Sequence, residues 1–352
     1  MGFESCIRRV VPYVPGEQPK SADVIKLNTN ENPYPPSPRV REAIEKFDAD
    51  TLRLYPDPAA TDLIQAIAEE YGLGTDEVFA GVGSDDVLAM CFLTFFNSKD
   101  PVLFPDITYS FYDVWADLFR IPYEQIPLDD DFHIVPEMYR RKNGGIIFPN
   151  PNAPTGSLLP LETVRGIVAG NPDSIVIVDE AYIDFGGESA LPLIREFDNL
   201  LVVQTFSKSR SGAGLRIGYA FGCPMLIRYL NDVKYSFNSY TMNRMVIEAG
   251  AACVRDRAYF RETTAKIVAT RERILPRLRE IGFRAEDSAS NFVFASHAEV
   301  SAEEIFTKLR ERGIYVRWWN KPRISDYLRI TIGTDDEMDA LIHELEDICS
   351  RR

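Results

Sequence analysis

From about residue 60 to Val203 the chain alternates helix-period apolar faces with short, unbroken runs of β-branched and aliphatic residues, a rhythm few folds accept. Leu63, Ile64, Ile67, Ala68 and Tyr71 share one helical face, and Gly72 suits its stop. Val78-Phe79-Ala80 reads as a short strand, followed by the turn Gly81-Val82-Gly83-Ser84. A second helical face follows at Val87, Leu88, Cys91, Phe92 and Phe95. Pro101 to Phe104 predicts a strand, and Phe111, Val114, Trp115 and Leu118 a helix. Ile146-Ile147-Phe148, Ile175-Val176-Ile177-Val178 and Leu200-Leu201-Val202-Val203 are apolar at every position, which suits strands buried on both faces. The expectation is an α/β fold, a mostly parallel sheet sandwiched by helices.

After Asn238 the texture changes. Residues 240 to 281 predict a long helix, broken or bent near Pro276. Asn291-Phe292-Val293-Phe294 and Tyr327 to Ile332 read as strands around a helix near 301–312, and Met338, Leu341, Ile342 and Leu345 mark a last helix. This tail predicts a smaller α+β domain. The expected division is an N-terminal arm over 1–40 packed with the small domain, a large cofactor-binding α/β domain over 41–240, and the small domain over 241–352. A length of 352 residues suits two cores.

A net charge of −14 argues against a nucleic-acid partner, while leaving room for a local basic pocket. No apolar run approaches the roughly 20 residues of a membrane span. The start MGFESCIRRVV lacks a leader's apolar stretch, and Cys6 stands where acylation of Gly2 would want Ser or Thr. A cytoplasmic protein is expected. Five scattered cysteines and three histidines (His133, His297, His343) form no metal-ligand spacing, so no metal is expected. Proton transfer then falls to another side chain, which points towards a lysine.

Ligands of open α/β sheets bind beyond the carboxyl ends of the strands. Four polar segments follow the apolar runs: Gly81-Val82-Gly83-Ser84, Asn150 to Gly156, Asp179-Glu180-Ala181-Tyr182 and Thr205-Phe206-Ser207-Lys208. Lys208, between two serines, is either a solvated loop lysine or an amine able to form a Schiff base. Asp179 at a strand mouth can pair with a protonated ring nitrogen, or merely cap the next turn. Tyr182 brings a phenol to the same rim. Ser84 and Asp85 open a helix whose free N–H groups can face an anion, although Asp85 and Asp86 compete for the same dipole. Thr205, Ser207 and Arg216 add hydroxyls and a guanidinium, and Gly212-Ala213-Gly214 permits close backbone approach. Asp86 interrupts the dinucleotide fingerprint begun by Gly81 and Gly83, and neither a Walker loop nor a GxSxG elbow occurs.

Thr205-Phe206-Ser207-Lys208 with Gly214-Leu215-Arg216-Ile217-Gly218 resembles the cofactor-lysine segment of fold-type I, pyridoxal-phosphate-dependent aminotransferases. Asn150-Pro151-Asn152-Ala153-Pro154-Thr155-Gly156 and Asp179 to Tyr182 fit that family in order and spacing. Leu27-Asn28-Thr29-Asn30-Glu31-Asn32-Pro33-Tyr34, Leu54-Tyr55-Pro56 and Tyr327-Leu328-Arg329-Ile330-Thr331 narrow the resemblance to the histidinol-phosphate aminotransferases, class II within the fold. The match runs from about residue 25 to the C-terminus.

The resemblance implies that Lys208 carries pyridoxal 5'-phosphate and shuttles a proton, that Asp179 holds the pyridinium and that Tyr182 holds the 3-oxygen. It implies that Tyr109 stacks on the ring, and that Ser84, Asp85, Thr205, Ser207 and Arg216 hold the phosphate. Tyr55 would reach the phosphate of a neighbouring subunit, making a homodimer with a shared active site. Arg329 would bind the carboxylate of glutamate or 2-oxoglutarate, with Arg317 and the arm near Asn30 to Tyr34 at the distal end of the substrate. The implied partners are a small amino donor and a 2-oxo acid, and the implied reaction converts histidinol phosphate and 2-oxoglutarate to imidazole acetol phosphate and glutamate in histidine biosynthesis. Aromatic aminotransferases and threonine-phosphate decarboxylases are the nearest alternatives on the same fold. Three places depart from the family: Ala153 stands where Asn usually precedes Pro-Thr-Gly, leaving the 3-oxygen to Asn152 or to Tyr182 alone. Asn32 and Pro33 precede Tyr34 in the arm, and Ser209-Arg210-Ser211 follows the lysine in place of smaller residues.

Overall fold

The computed structural model describes residues 2–21 and 23–350. Strand β1 (Ile25–Lys26) lies in the arm and pairs in parallel with Ile314–Tyr315 far along the chain. Seven strands then build the main sheet among the described residues: β2 (Val78–Gly81), β3 (Val102–Pro105), β4 (Tyr123–Ile126), β5 (Gly145–Pro149), β6 (Val176–Asp179), β7 (Leu200–Thr205) and β8 (Gly218–Gly222). Their order is β2-β8-β7-β6-β5-β3-β4. β8 runs antiparallel to both neighbours, and the pairs from β7 to β4 are parallel.

Both faces of this sheet are buried, which explains the unbroken apolar runs. Ile146, Phe148, Val176, Val178, Leu200 and Val202 enter one core with Ile67, Val164 and Ile167. Ile147, Ile177, Leu201 and Val203, one residue out of phase, enter another with Val87, Cys91, Phe92 and Leu230. Successive side chains of a strand point to opposite faces, so each face needs its own apolar set.

Two of these strands were not legible as strands. β4, at the sheet edge, keeps Glu124 and Gln125 exposed, and β8 is Gly-Tyr-Ala-Phe-Gly, bracketed by the residue with least strand propensity. Gly218 is required there, because a Cβ would run into the backbone of Gly83 and Ser84 on β2's side. The helices followed their periodicity more closely. Thr61–Tyr71 ends on Gly72 at φ 68°, whose N–H returns to the Ala68 carbonyl.

The long helix expected over 240–281 is two helices, Arg244–Arg255 and Arg257–Ile281, and the break is at Asp256 rather than Pro276. Asp256 leaves helical geometry and its carboxylate caps the second helix at the Tyr259 N–H. Pro276 stays within the helix on an exposed position, where water can serve the carbonyl its missing N–H leaves free.

The C-terminal part carries β9 (Phe283–Ala285), β10 (Phe292–His297), β11 (Ile314–Tyr315, the partner of β1), β12 (Arg317–Trp318) and β13 (Tyr327–Thr331). An antiparallel sheet in the order β12-β13-β10-β9 packs on the helices Ala302–Glu311 and Asp335–Ser350 through Val293, Ile305, Leu309, Leu328, Leu341 and Ile342. No helix of the described residues is long and apolar enough to cross a membrane.

Candidate active site

The carboxyl ends of β5, β6 and β7 open onto two adjoining cavities that share Thr29, Tyr109, Ala153, Tyr182 and Lys208. The inner cavity also takes Ser84, Asp85, Asp179, Thr205, Ser207 and Arg216. The outer one adds Tyr13, Asn30, Arg317, Trp319 and Arg329. A separate, wider cleft near Phe132, Phe294 and Asp287 holds none of these groups.

Lys208 leaves the loop after β7 and its Nζ donates to the Thr29 carbonyl at 3.0 Å. The loop is pinned by Asn32, whose amide donates to the carbonyls of Lys208 and Ser209. Asp179, the last residue of β6, is buried, and burial pushes its carboxyl up to about 6 although the Tyr112 hydroxyl donates to it at 2.8 Å. A buried carboxylate with so few donors is matched by a cationic ring nitrogen.

An anion fits the opposite end. Gly83, at φ 86°, turns β2 into the helix Ser84–Phe95, whose first N–H groups face the cavity. Arg216, also left-handed at φ 53°, lies so close that any Cβ on Gly83 would collide with its guanidinium. The Thr205 hydroxyl donates to Ser207 Oγ at 3.0 Å on the same wall. The competition between neighbouring carboxylates is resolved by geometry. Asp86 folds back to accept the Val82 N–H at 2.9 Å, while Asp85 is neutralised by Arg216 at 3.4 Å and accepts the Tyr109 hydroxyl at 2.6 Å. Burial and then Asp85 raise the Tyr109 phenol well above its ordinary range, keeping it protonated.

Arg317 and Arg329 face each other in register across β12 and β13, with Trp319 between them at 5.3 and 5.2 Å from the two guanidinium carbons. Arg329 donates to the Asn28 carbonyl at 2.9 Å, but its buried Nε has no partner, and burial lowers its pKa. Two adjacent cations with a spare buried donor are a receptor for carboxylate or phosphate.

Three expected site residues lie outside both cavities. Asn152 is buried and spends its side chain on the loop: Oδ1 accepts from Thr108, and Nδ2 donates to the Ile107 carbonyl and to Thr155. Ala153, not Asn152, faces the cavity, so Asn152 does not stand in for the family's usual residue. Tyr34 is turned away because its N–H is tied to Asn32 Oδ1 at 3.0 Å, and its ring rests by Lys266 at 5.4 Å. Tyr55 is 78% exposed and stacks on Tyr240 at 4.5 Å, remote from the cavities of its own chain. Arg210 is structural in its surroundings, a buried guanidinium stacked 4.2 Å from Phe260 and sharing a 3.4 Å contact with Tyr71.

Sequence reasoning missed Tyr13 and Tyr112. Tyr13 comes from the irregular arm to stack on Phe111 at 4.1 Å and wall the outer cavity. Its sole local signal is an aromatic between Pro12 and Pro15, which carries no periodicity.

Comparison with known proteins agrees with this geometry. The family model for aminotransferase class I and II matches residues 22–345. A histidinol-phosphate aminotransferase of Lactococcus lactis subsp. cremoris is 52% identical over 347 residues, 99% of this chain and 98% of the relative. One from Hydrogenovibrio crunogenus is 54% identical over 346 residues, 98% of this chain and 97% of the relative. Among solved structures, histidinol-phosphate aminotransferase from Sinorhizobium meliloti in complex with pyridoxal-5'-phosphate superposes with a TM-score of 0.85. It is 27% identical, and the match covers 93% of this chain and 90% of that one.

Proposed function

The chain belongs to the class I and II aminotransferases, and on that premise we propose that it moves the amino group of histidinol phosphate to 2-oxoglutarate, forming imidazole acetol phosphate and glutamate. The observation that carries this reading is the convergence of Lys208, Asp179, an anion cradle and the Arg317–Arg329 pair on one divided cavity. The family's cofactor is pyridoxal phosphate, and the donor set fits it: a buried carboxylate for a ring cation, and helix N–H groups, hydroxyls and Arg216 for a phosphate.

When bound, pyridoxal phosphate supplies an electron sink for the bond at the substrate's amino-bearing carbon. In this reading Lys208 Nζ anchors the cofactor and, once freed, takes the proton from the substrate Cα. Asp179 keeps a proton on the ring nitrogen, Tyr182 donates to the ring oxygen, and Tyr109 covers one ring face. Ser84, Asp85, Thr205, Ser207 and Arg216 hold the phosphate, with Asn152 acting only through the loop it braces. Arg329 receives the carboxylate of glutamate or 2-oxoglutarate, and Arg317 serves the distal anionic end. Tyr13 and Trp319 wall the outer side.

The same proposal takes the active unit as a cytoplasmic homodimer, in which Tyr55 reaches the other subunit's phosphate. Exposed Leu52, Leu54, Tyr55, Phe237 and Tyr240 support a covered surface there. It retains an arm over 1–40, a cofactor-binding part over 41–240 and a smaller part over 241–352; the C-terminal sheet and its helices share one apolar core, while the helix Arg244–Arg255 packs into the core of the larger part through Ile247, Ala251 and Val254.

The test is the absorption of the purified protein before and after histidinol phosphate, together with glutamate formation. A cofactor band that bleaches with histidinol phosphate and disappears in Lys208→Ala is expected, with activity in that variant down at least about 1,000-fold. A band that answers only to aromatic amino acids would keep the enzyme class and discard the substrate. Release of carbon dioxide from threonine phosphate would replace transamination by decarboxylation.

A further inference from the structure

Asn30 is wholly buried beside the two cavities and holds φ at 57°, a conformation asparagine tolerates better than most residues. Each of its polar groups has a partner. Its N–H donates to the Thr331 hydroxyl at 3.0 Å, that hydroxyl donates to Asn30 Oδ1 at 3.0 Å, and the Asn30 carbonyl accepts from Asn291 Nδ2 at 2.9 Å. The amide nitrogen donates to the Tyr182 hydroxyl at 2.9 Å.

This set of bonds fixes the direction of the last one. Thr331 has a single hydroxyl proton, and its oxygen already accepts from the Asn30 backbone. If the amide were turned over, its NH2 and the backbone N–H would both point at that oxygen. The Thr331 proton would then lose its acceptor in a buried site, at the cost of an unmade hydrogen bond. The NH2 therefore faces Tyr182, whose oxygen accepts, and the phenol's own proton must point elsewhere. Phe292 packs edge-on against the Tyr182 ring at 5.0 Å, and the open direction is the cavity that holds Lys208.

We propose that Asn30 is a positioning residue that aims the Tyr182 proton at the cofactor's ring oxygen. It thereby makes Tyr182 a committed donor on a wall where Ala153 offers none and Asn152 is occupied elsewhere. Thr331 at the end of β13 and Asn291 just before β10 lock it in place, so the C-terminal part and the arm together set a proton's direction at the rim of the large sheet. The inference rests on the aminotransferase reading above.

The charged groups facing Tyr182 are Lys208, with Nζ 5.8 Å from the ring centroid, Arg329 behind Phe292, and Asp179 across the inner cavity. The test uses the holoenzyme and reads the pH midpoint of the cofactor's visible band. A donor to the ring oxygen stabilises its negative form and holds that midpoint low. Asn30→Asp places an acceptor against the phenol and reverses the bond, so the midpoint is expected to rise by about one pH unit. Tyr182→Phe should raise it similarly, and the double variant should shift no further than Tyr182→Phe alone. That non-additivity separates an effect through Tyr182 from the new charge itself. Thr331→Val, which unlocks the amide without altering a cavity residue, should move the midpoint in the same direction by less, and it carries the test if Asn30→Asp does not fold. Unmoved midpoints in Asn30→Asp and Thr331→Val beside a shifted Tyr182→Phe would overturn the proposal, as would shifts that add. Absence of any band in the native protein would overturn the functional reading with it.

Discussion

At the scale of single residues, the site is governed by what burial does to charge. Asp179 is the clearest case. Its carboxyl is raised from 3.8 to about 6, mainly by burial. Between those values the folded chain holds a proton that the unfolded chain has lost, so this group's contribution to stability falls as pH rises from about 4 to 6. In the cofactor-free protein, Asp179→Asn should therefore gain on the native chain across that window, by up to about 3 kcal/mol, and change little above it. Denaturant unfolding at several pH values would check this, and a constant difference across the window would contradict it. The same carboxylate is the group that should bind a ring cation, so the Asp179→Asn substitution should also weaken cofactor binding.

At the scale of elements, the cradle depends on a helix start that only glycine permits. Gly83 takes φ 86° and lies against Arg216, so Gly83→Ala adds both backbone strain and a collision with the guanidinium. Cofactor affinity should fall by about 10- to 100-fold, the loss of one charge-assisted hydrogen bond, with the fold retained. Fluorescence titration of the cofactor-free variant would measure it, and unchanged affinity would mean the helix start does not hold the phosphate. The central elements were legible in the chain for a related reason. β5, β6 and β7 are buried on both faces, so three or four successive positions in each had to be apolar and the runs stood out. β4 and β8 were hidden because an edge strand keeps polar residues and β8 needs glycine against Gly83. The helix break at Asp256 was missed because a capping aspartate is a weaker sequence mark than a proline.

At the scale of the whole molecule, the active site is assembled from distant parts, and the dimer prediction belongs here. If Tyr55 serves the other subunit, mixing inactive Lys208→Ala with a Tyr55→Ala variant should restore activity. Heterodimers would then carry one intact site, giving about a quarter of native activity after random exchange. No recovery after verified subunit exchange would place Tyr55's role within its own chain. The sequence alone determined the layered α/β class and the aminotransferase family. It also brought Lys208, Asp179, Tyr182, Ser84, Asp85, Thr205 and Ser207 to one sheet edge, because residues that follow strands running the same way converge there whatever the loops do; Arg216 joins them from the start of the antiparallel β8. Tertiary structure alone decided that Tyr13 and Trp319 enter the outer cavity, and that Asn152 and Tyr34 stay out of it. It also decided that Asn30 meets Tyr182 and Thr331. Those last contacts join residues far apart in the chain, and no local period or spacing encodes which side chain a folded neighbour leaves free.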